Sequence, residues 1–234
     1  MIRSPLLEAV PGSIHGFGTR VEWVPPPPPE LSQPAQLAPT LEALGAPGAR
    51  VAMLNQIHGA QVLRADPAGP LWPVGPGDAL VCTVPGVVVY VRVADCTPIL
   101  LVGPRGVAAV HAGWRGTAAG VLQAAVERLL DWSGQRPEDL RAAVGPSAGP
   151  CCYEVGPEVV EGLARHAPLE LFLHERPGRR PTVDVAAVNL HVLHTLGIQA
   201  ERLPHCTVCD PGFHSWRRDG ALAGRQAAFV GLWP

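Results

Sequence analysis

The sequence predicts an α/β protein, with α+β as the nearest variant, in which mixed β-sheets are flanked by helices. Three observations carry this reading. Short β-rich runs punctuated by Gly and Pro crowd residues 79–111, a long segment with helical apolar spacing follows, and strand-like and helix-like segments then continue to the C-terminus. With 234 residues, 47% of them hydrophobic, the chain can bury one substantial core, so residues 1–234 are expected to form a single domain.

Taken in order, the proline run Pro25–Pro29 lacks backbone donors and is expected to be an extended stretch of a Pro-rich surface loop near residues 25–39. Beyond it, only a short helix around Thr40–Leu44 is suggested. Ala79–Val84, Val87–Ala94, Pro98–Val102 and Val107–His111 read as strands. Thr117–Trp132 places Val121, Leu122, Ala125 and Leu129 on one helical face and leaves Glu127, Arg128 and Asp131 for the wet face. Leu140–Val144 reads as a strand, Pro157–His166 and Val185–Leu196 as helices, and Arg202–Cys206 and Ala227–Leu232 as short strands. No internal repeat is visible.

A formal net charge of −2 gives no reason to expect broad contact with nucleic acid or an anionic membrane, both of which want a clustered basic surface, and small-molecule chemistry is the default. The N-terminal MIRSPLLEAVPGS lacks the apolar stretch of a signal peptide, and Pro, Gly or a charge cuts every later apolar run, so a cytoplasmic location is expected. Six cysteines in such a chain fit thiols and metal ligands better than a secreted disulfide framework.

Three segments join metal-ligand side chains to sharp turns at expected strand ends: Asn55–Gly59 around His58, Ala94–Cys96, and His111–Gly116. Imidazole and thiolate are both good zinc donors, and three protein ligands leave a fourth tetrahedral position open for catalysis. A lone His or buried Cys is more often a packed side chain, and the spacing of these three is irregular, so pattern alone leaves metal binding open. Cys206 and Cys209 read as a packed or redox-active pair, because adjacent Cys151 and Cys152 do not supply the second half of a zinc ribbon. The glycines make neither a Gly-x-Gly-x-x-Gly nor a P-loop signature, so no bound nucleotide cofactor is expected.

NQIHGA at 55–60, GDALVCTVPGV at 77–87, VADCTPILL at 93–101, VAAVHAGWRGTAAG at 107–120, VGPSAGPCCYEVG at 144–156, and CTVC with SWRRDG and GR at 206–225 resemble the YfiH family, also called laccase-domain or polyphenol oxidase family proteins. The resemblance runs in order from about residue 51 to the C-terminus and implies a YfiH/CNF1-like mixed fold. It also implies zinc held by His58, Cys96 and His111, with copper as an alternative occupant in vitro. The implied activity is phosphorolysis of adenosine, inosine, guanosine and methylthioadenosine, together with adenosine deamination. The implied partners are therefore a nucleoside and phosphate.

Catalytic roles are expected for His58, Cys96, His111 and Arg115, and substrate contacts for Arg20, Arg217 and Arg218, with Arg225 a further phosphate candidate; a planar guanidinium can donate two parallel hydrogen bonds to phosphate. Asp95 is expected to orient a histidine, with Glu154 as a proton-transfer or orienting group. One departure from the family pattern stands out: Thr19-Arg20 continues into Val-Glu-Trp and the proline run instead of Gly-Gly-Val-Ser, which puts the substrate range in doubt.

Two competing chemistries are testable against the sequence. A multicopper oxidase needs roughly ten His, usually with His-x-His pairs, to build its copper sites; this chain has nine His and no such pair. The zinc deaminase signature, His-x-Glu followed by Pro-Cys-x-x-Cys, is also missing, so deamination would need another zinc geometry. Two alternatives remain: a Cys–His hydrolase with Cys96 as nucleophile and His111 as base, and a non-catalytic metal-binding or interaction protein, which would need a closed four-ligand site although only three strong ligands are visible.

Overall fold

The computed structural model describes residues 1–21 and 33–234, so the proline run lies outside the described residues. In chain order the first elements are α1 (Pro5–Glu8), β1 (Ser13–Phe17), α2 (Gln33–Ala43), β2 (Arg50–Ala52) and β3 (Val62–Arg64). The central stretch supplies β4 (Ala79–Cys82), β5 (Val87–Val93), β6 (Thr97–Gly103), β7 (Gly106–Ala112), α3 (Trp114–Ala118), α4 (Val121–Ser133) and β8 (Arg141–Val144). Then come α5 (Pro157–Leu163), α6 (Leu169–Phe172), β9 (Leu173–His174), β10 (Thr182–Val183), α7 (Val185–Thr195), β11 (Gln199–Arg202), α8 (Trp216–Asp219) and β12 (Gln226–Leu232).

Two mixed sheets organise the molecule. One has the order β1-β12-β5-β2, antiparallel except at the parallel β2–β5 edge. The other has the order β11-β8-β6-β7-β4-β3, antiparallel in the middle and parallel at both edges. A short β9–β10 ribbon stands apart. The predicted class of mixed sheets with flanking helices is what the chain adopts.

The period-2 alternation of strand side chains explains the layering. Along β5, Val87, Val89 and Val91 share a buried cluster with Leu100, Val102 and Ala109 of the larger sheet, so the two sheets pack face to face. Val88 and Tyr90 point the other way and pack with Leu37 and Leu41 of α2. On the far face of the larger sheet, Val81, Ile99, Leu101 and Val110 meet Leu122, Ala125 and Leu129 of α4 and Val192 and Leu193 of α7. The order is helix, sheet, sheet, helix. Strands β5 to β7 are buried on both faces, which is why they read as nearly continuous apolar runs.

Three expectations need correcting. The Pro-rich loop ends earlier than residue 39, because α2 begins at Gln33 and carries Pro39 inside it. The single helix expected over Thr117–Trp132 is two helices, divided at Gly120, whose φ of 79° is the left-handed conformation that glycine tolerates. The strand expected at Arg202–Cys206 lies earlier, at Gln199–Arg202, and Pro204 has no N–H to extend it. No described helix is long and apolar enough to cross a membrane.

Candidate metal centre and adjoining cavity

The candidate centre gathers at the ends of β5, β6 and β7. Register pairing sets Thr97 opposite Ala112 and Pro98 opposite His111, so Cys96, one residue before β6, falls beside Gly113, one residue after β7. Gly113 has no Cβ for a reason: one there would stand 2.9 Å from Cys96 Sγ. Gly116, in α3, likewise lets the carbonyl of Gly59 approach to 3.0 Å of where its Cβ would be. That close approach brings the His58 loop over the strand ends.

His58, Cys96 and His111 present ligand atoms that all lie within 4.8 Å of one another. The two imidazoles meet edge to face with centroids 4.9 Å apart. Asp78, fully buried at the start of β4, organises both of them. Its Oδ1 lies 2.8 Å from His111 Nδ1, and its carboxylate accepts the backbone N–H groups of Ile57, His58 and Gly59 at 3.3, 2.9 and 2.7 Å. His111 Nε2 remains as the ring nitrogen available to a ligand. A carboxylate behind a histidine is the arrangement that fixes tautomer and ring orientation at metal sites.

The electrostatics follow from these contacts. Burial alone would raise the Cys96 thiol, but His111 and His58 beside it bring it down to about 6. Burial alone would lower His111, but the hydrogen bonds to Asp78 and Cys96 lift it to about 9. Burial also works against the Asp78 carboxylate, yet His111 and the loop N–H groups hold it below its ordinary value. Thiolate is the favoured form of the sulfur at neutral pH. One soft thiolate and two imidazoles, with the Asp78 carboxylate seated behind His111, make a donor set that fits a borderline-soft divalent ion such as zinc.

Among the described residues, the non-glycine positions with positive φ are His58, at 59°, and Asp95, at 89°. Both lie at this site, where left-handed backbone must be held by its surroundings. Asp95 does not orient a histidine as expected. Its Oδ1 accepts the Thr207 hydroxyl at 2.7 Å and its Oδ2 the Arg217 N–H at 2.7 Å, so it ties the loop after β11 and the start of α8 to the β5–β6 turn. The histidine-orienting role falls to Asp78, which lies in the GDALVCTVPGV segment but received no role from the sequence. Glu154 is paired with Arg176 at 2.7 Å.

A cavity of about 750 Å³ opens over the three donors. Arg115, Arg217 and Arg225 line it, each guanidinium lying over an aromatic ring: Trp114 at 4.5 Å, Tyr153 at 4.7 Å and Trp216 at 5.4 Å. Arg20 and Arg218 are not among its lining residues. Arg20 pairs with Asp219 at 2.5 Å, and Arg218 donates to Asp219 and to the carbonyls of Thr207, Val208, Asp210 and Phe213. These two arginines hold the C-terminal loops together. Adjacent Cys151 and Cys152, read from the sequence as unable to supply the second half of a zinc ribbon, nevertheless stand beside Cys206 and Cys209: the four sulfurs lie within 4.8 Å of one another.

Fold and site define a mixed α/β protein with a His–Cys–His centre beside an arginine-lined cavity. A family model described as "Multi-copper polyphenol oxidoreductase laccase" matches residues 35–233. The chain belongs to this laccase-domain family, the family of the YfiH and YlmD proteins. It is 37% identical to a purine nucleoside phosphorylase of Deinococcus radiodurans, over 99% of this chain and 92% of that protein. It is 38% identical to adenosine deaminase RL5 of an unknown prokaryotic organism, over 67% of this chain and 62% of that protein. The crystal structure of YlmD from Geobacillus stearothermophilus aligns with a TM-score of 0.82 at 28% identity, covering 99% of this chain and 94% of that one.

Proposed function

We propose that the protein is a zinc-dependent purine nucleoside phosphorylase with adenosine deaminase activity, its zinc held by His58, Cys96 and His111. One juxtaposition carries the reading: three convergent zinc donors and three ring-stacked arginines face the same cavity, whose volume suits a nucleoside with phosphate beside it. The relatives named as phosphorylase and deaminase support it. When bound, zinc supplies Lewis acidity that polarises a substrate oxygen or acidifies water.

The chain's own groups account for the rest. Arg115, Arg217 and Arg225 supply cationic donors for a phosphate dianion, and their aromatic platforms limit the conformations each guanidinium explores. In phosphorolysis a phosphate oxygen bonds to ribose C1′ as the bond to the purine nitrogen breaks, and the base leaves with the electron pair and gains a proton. In deamination a water oxygen adds at C6 of adenine and ammonia leaves. Holding phosphate and sugar together converts an encounter of two solutes into a reaction within one cavity.

Two observations bear on the other chemistries. Among the described residues, the groups of three or more metal-donor side chains are His58–Cys96–His111 and the four-cysteine cluster, neither of which is an imidazole-rich copper cluster. The Cys–His hydrolase reading gains from the continuous line Cys96–His111–Asp78, which has the donor order of a catalytic triad. The second imidazole on the same sulfur, His58, is what favours zinc: a nucleophile needs one base, whereas a metal takes both.

The deciding assay gives adenosine to zinc-analysed protein with and without phosphate and separates the products by chromatography. Phosphate-dependent adenine establishes phosphorolysis and inosine establishes deamination; no turnover of any purine nucleoside removes the proposal. Rapid alkylation of Cys96 by iodoacetamide in zinc-loaded protein would move the hydrolase forward, because a coordinated thiolate is protected.

A further inference from the structure

We infer that Cys151, Cys152, Cys206 and Cys209 form a second metal site, a closed tetrathiolate that takes zinc and has a structural task. The inference is independent of the nucleoside reading. These residues come from two loops, one after β8 and one after β11, that the fold lays side by side: Ser147 pairs with Cys206 as a parallel bridge, Thr207 N donates to Ser147 O at 3.0 Å, and Ser147 N donates to His205 O at 3.3 Å. The cysteines converge from this scaffold. Every sulfur lies within 4.8 Å of the other three, with Cys151 Sγ to Cys209 Sγ at 3.4 Å and Cys152 Sγ to Cys209 Sγ at 2.8 Å. Four thiolates around one zinc, at about 2.3 Å each, stand about 3.8 Å apart, so the ion fits with small side-chain rotations.

The surroundings are those of a metal knuckle rather than of idle thiols. Cys206-Thr-Val-Cys209 turns so that Asp210 N reaches Cys206 O at 3.0 Å, and the Gly149 N–H donates to Cys206 Sγ at 3.3 Å. Gly149 packs against the cluster: a Cβ there would touch Cys151 Sγ and Cys206 Sγ at 3.4 Å. Four thiolates with one zinc carry a net charge of −2, and the Arg218 guanidinium, bonded to the Thr207, Val208 and Asp210 carbonyls beneath the turn, supplies a nearby counter-charge. With all four positions filled by protein, the ion has no open site for chemistry. Its task is to staple the loop carrying Tyr153 to the loop carrying Thr207, both of which reach the cavity region, through Arg217 and Asp95 respectively.

The test uses the full chain purified under reducing conditions with the His58–Cys96–His111 centre disabled by H58A/C96S. That variant is expected to retain about one tightly bound zinc per chain and, on exchange with cobalt, to show the intense thiolate-to-cobalt charge-transfer band of four sulfur ligands. Adding C152S/C209S should abolish both. Should the quadruple variant fail to fold, peptide mass analysis of iodoacetamide-treated native chain gives the same answer: all four cysteines are protected when zinc is present and react after chelation. Absence of zinc from H58A/C96S, disulfides among the four in reduced protein, or alkylation rates indifferent to zinc would each overturn the site.

Discussion

Asp78 has no exposure to water, yet four donors converge on its carboxylate: three backbone N–H groups of the His58 loop and His111 Nδ1. One side chain therefore sets the positions of two proposed ligands that are 53 residues apart. Asp78→Asn keeps the shape but exchanges a charged acceptor for an amide; zinc affinity measured against a competing chromophoric chelator should fall about 10–100-fold, the range for such supporting partners. Gly113→Ala tests the same geometry sterically. Its added methyl meets Cys96 Sγ at 2.9 Å, so the sulfur must move and affinity should fall at least about tenfold, roughly 1.4 kcal/mol. His58, Cys96 and His111 stood out in the sequence because each combines a donor side chain with a sharp turn at an expected strand end, but it was the YfiH resemblance, not the pattern, that joined them into one site. Asp78 lies in the GDALVCTVPGV segment at 77–87 yet was not singled out, since a lone carboxylate just before a strand does not by itself indicate that it folds against a histidine. The cysteine cluster was hidden for another reason: Cys152 and Cys206 are 54 positions apart, and adjacency of Cys151 and Cys152 argued against a ribbon that the loop geometry does not need.

At the scale of elements, the segments legible in advance were the strands buried on both faces, β4 to β8 and β12, the amphipathic α4, and the helices α5 and α7. The strands that went unread, β1, β2, β3, β9 and β10, are short or carry polar residues, and tertiary pairing rather than local pattern makes them strands. β1 is instructive because it buries His15 completely. Ser4 N donates to His15 Nε2 at 3.1 Å, leaving the proton on Nδ1 facing Ser13 Oγ at 3.3 Å. Burial, helped by the nearby Arg3 charge, holds this imidazole at about 4. The unfolded chain takes up the proton near 6.5, so between about 6.5 and 4 it binds more protons than the folded chain. Stability from this residue is thus complete above 6.5 and lost as pH falls toward 4. His15→Gln retains an acceptor for Ser4 N but does not titrate there. Urea midpoints measured from pH 7 to pH 4 should fall less steeply for the variant; parallel curves would show that another group governs the acid limb.

For the molecule as a whole, the face-to-face sheets decide how it unfolds. Leu100, on β6 in the larger sheet, is fully buried in the same cluster as Val89 and Val91 of β5 and Ala228 and Val230 of β12 in the smaller one. Neither sheet can bury its inner face without the other, so we propose that residues 1–234 form one domain with a single cooperative transition. Leu100→Ala removes side-chain volume from the shared layer and should cost about 2–5 kcal/mol. The spread of tryptophans makes the claim checkable, because Trp72 packs against the outer face of the smaller sheet while Trp132 packs with the α4 side of the larger one. Single-tryptophan versions that retain either ring should report the same denaturant midpoint, and Leu100→Ala should shift both midpoints equally and match the shift in far-ultraviolet circular dichroism. A variant in which the Trp132 signal moves while the Trp72 signal stays would mean that the sheets unfold separately, and the half that carries the proposed metal centre, which contains β6 and β7, would then have to be stabilised by its own ligands rather than by the sandwich.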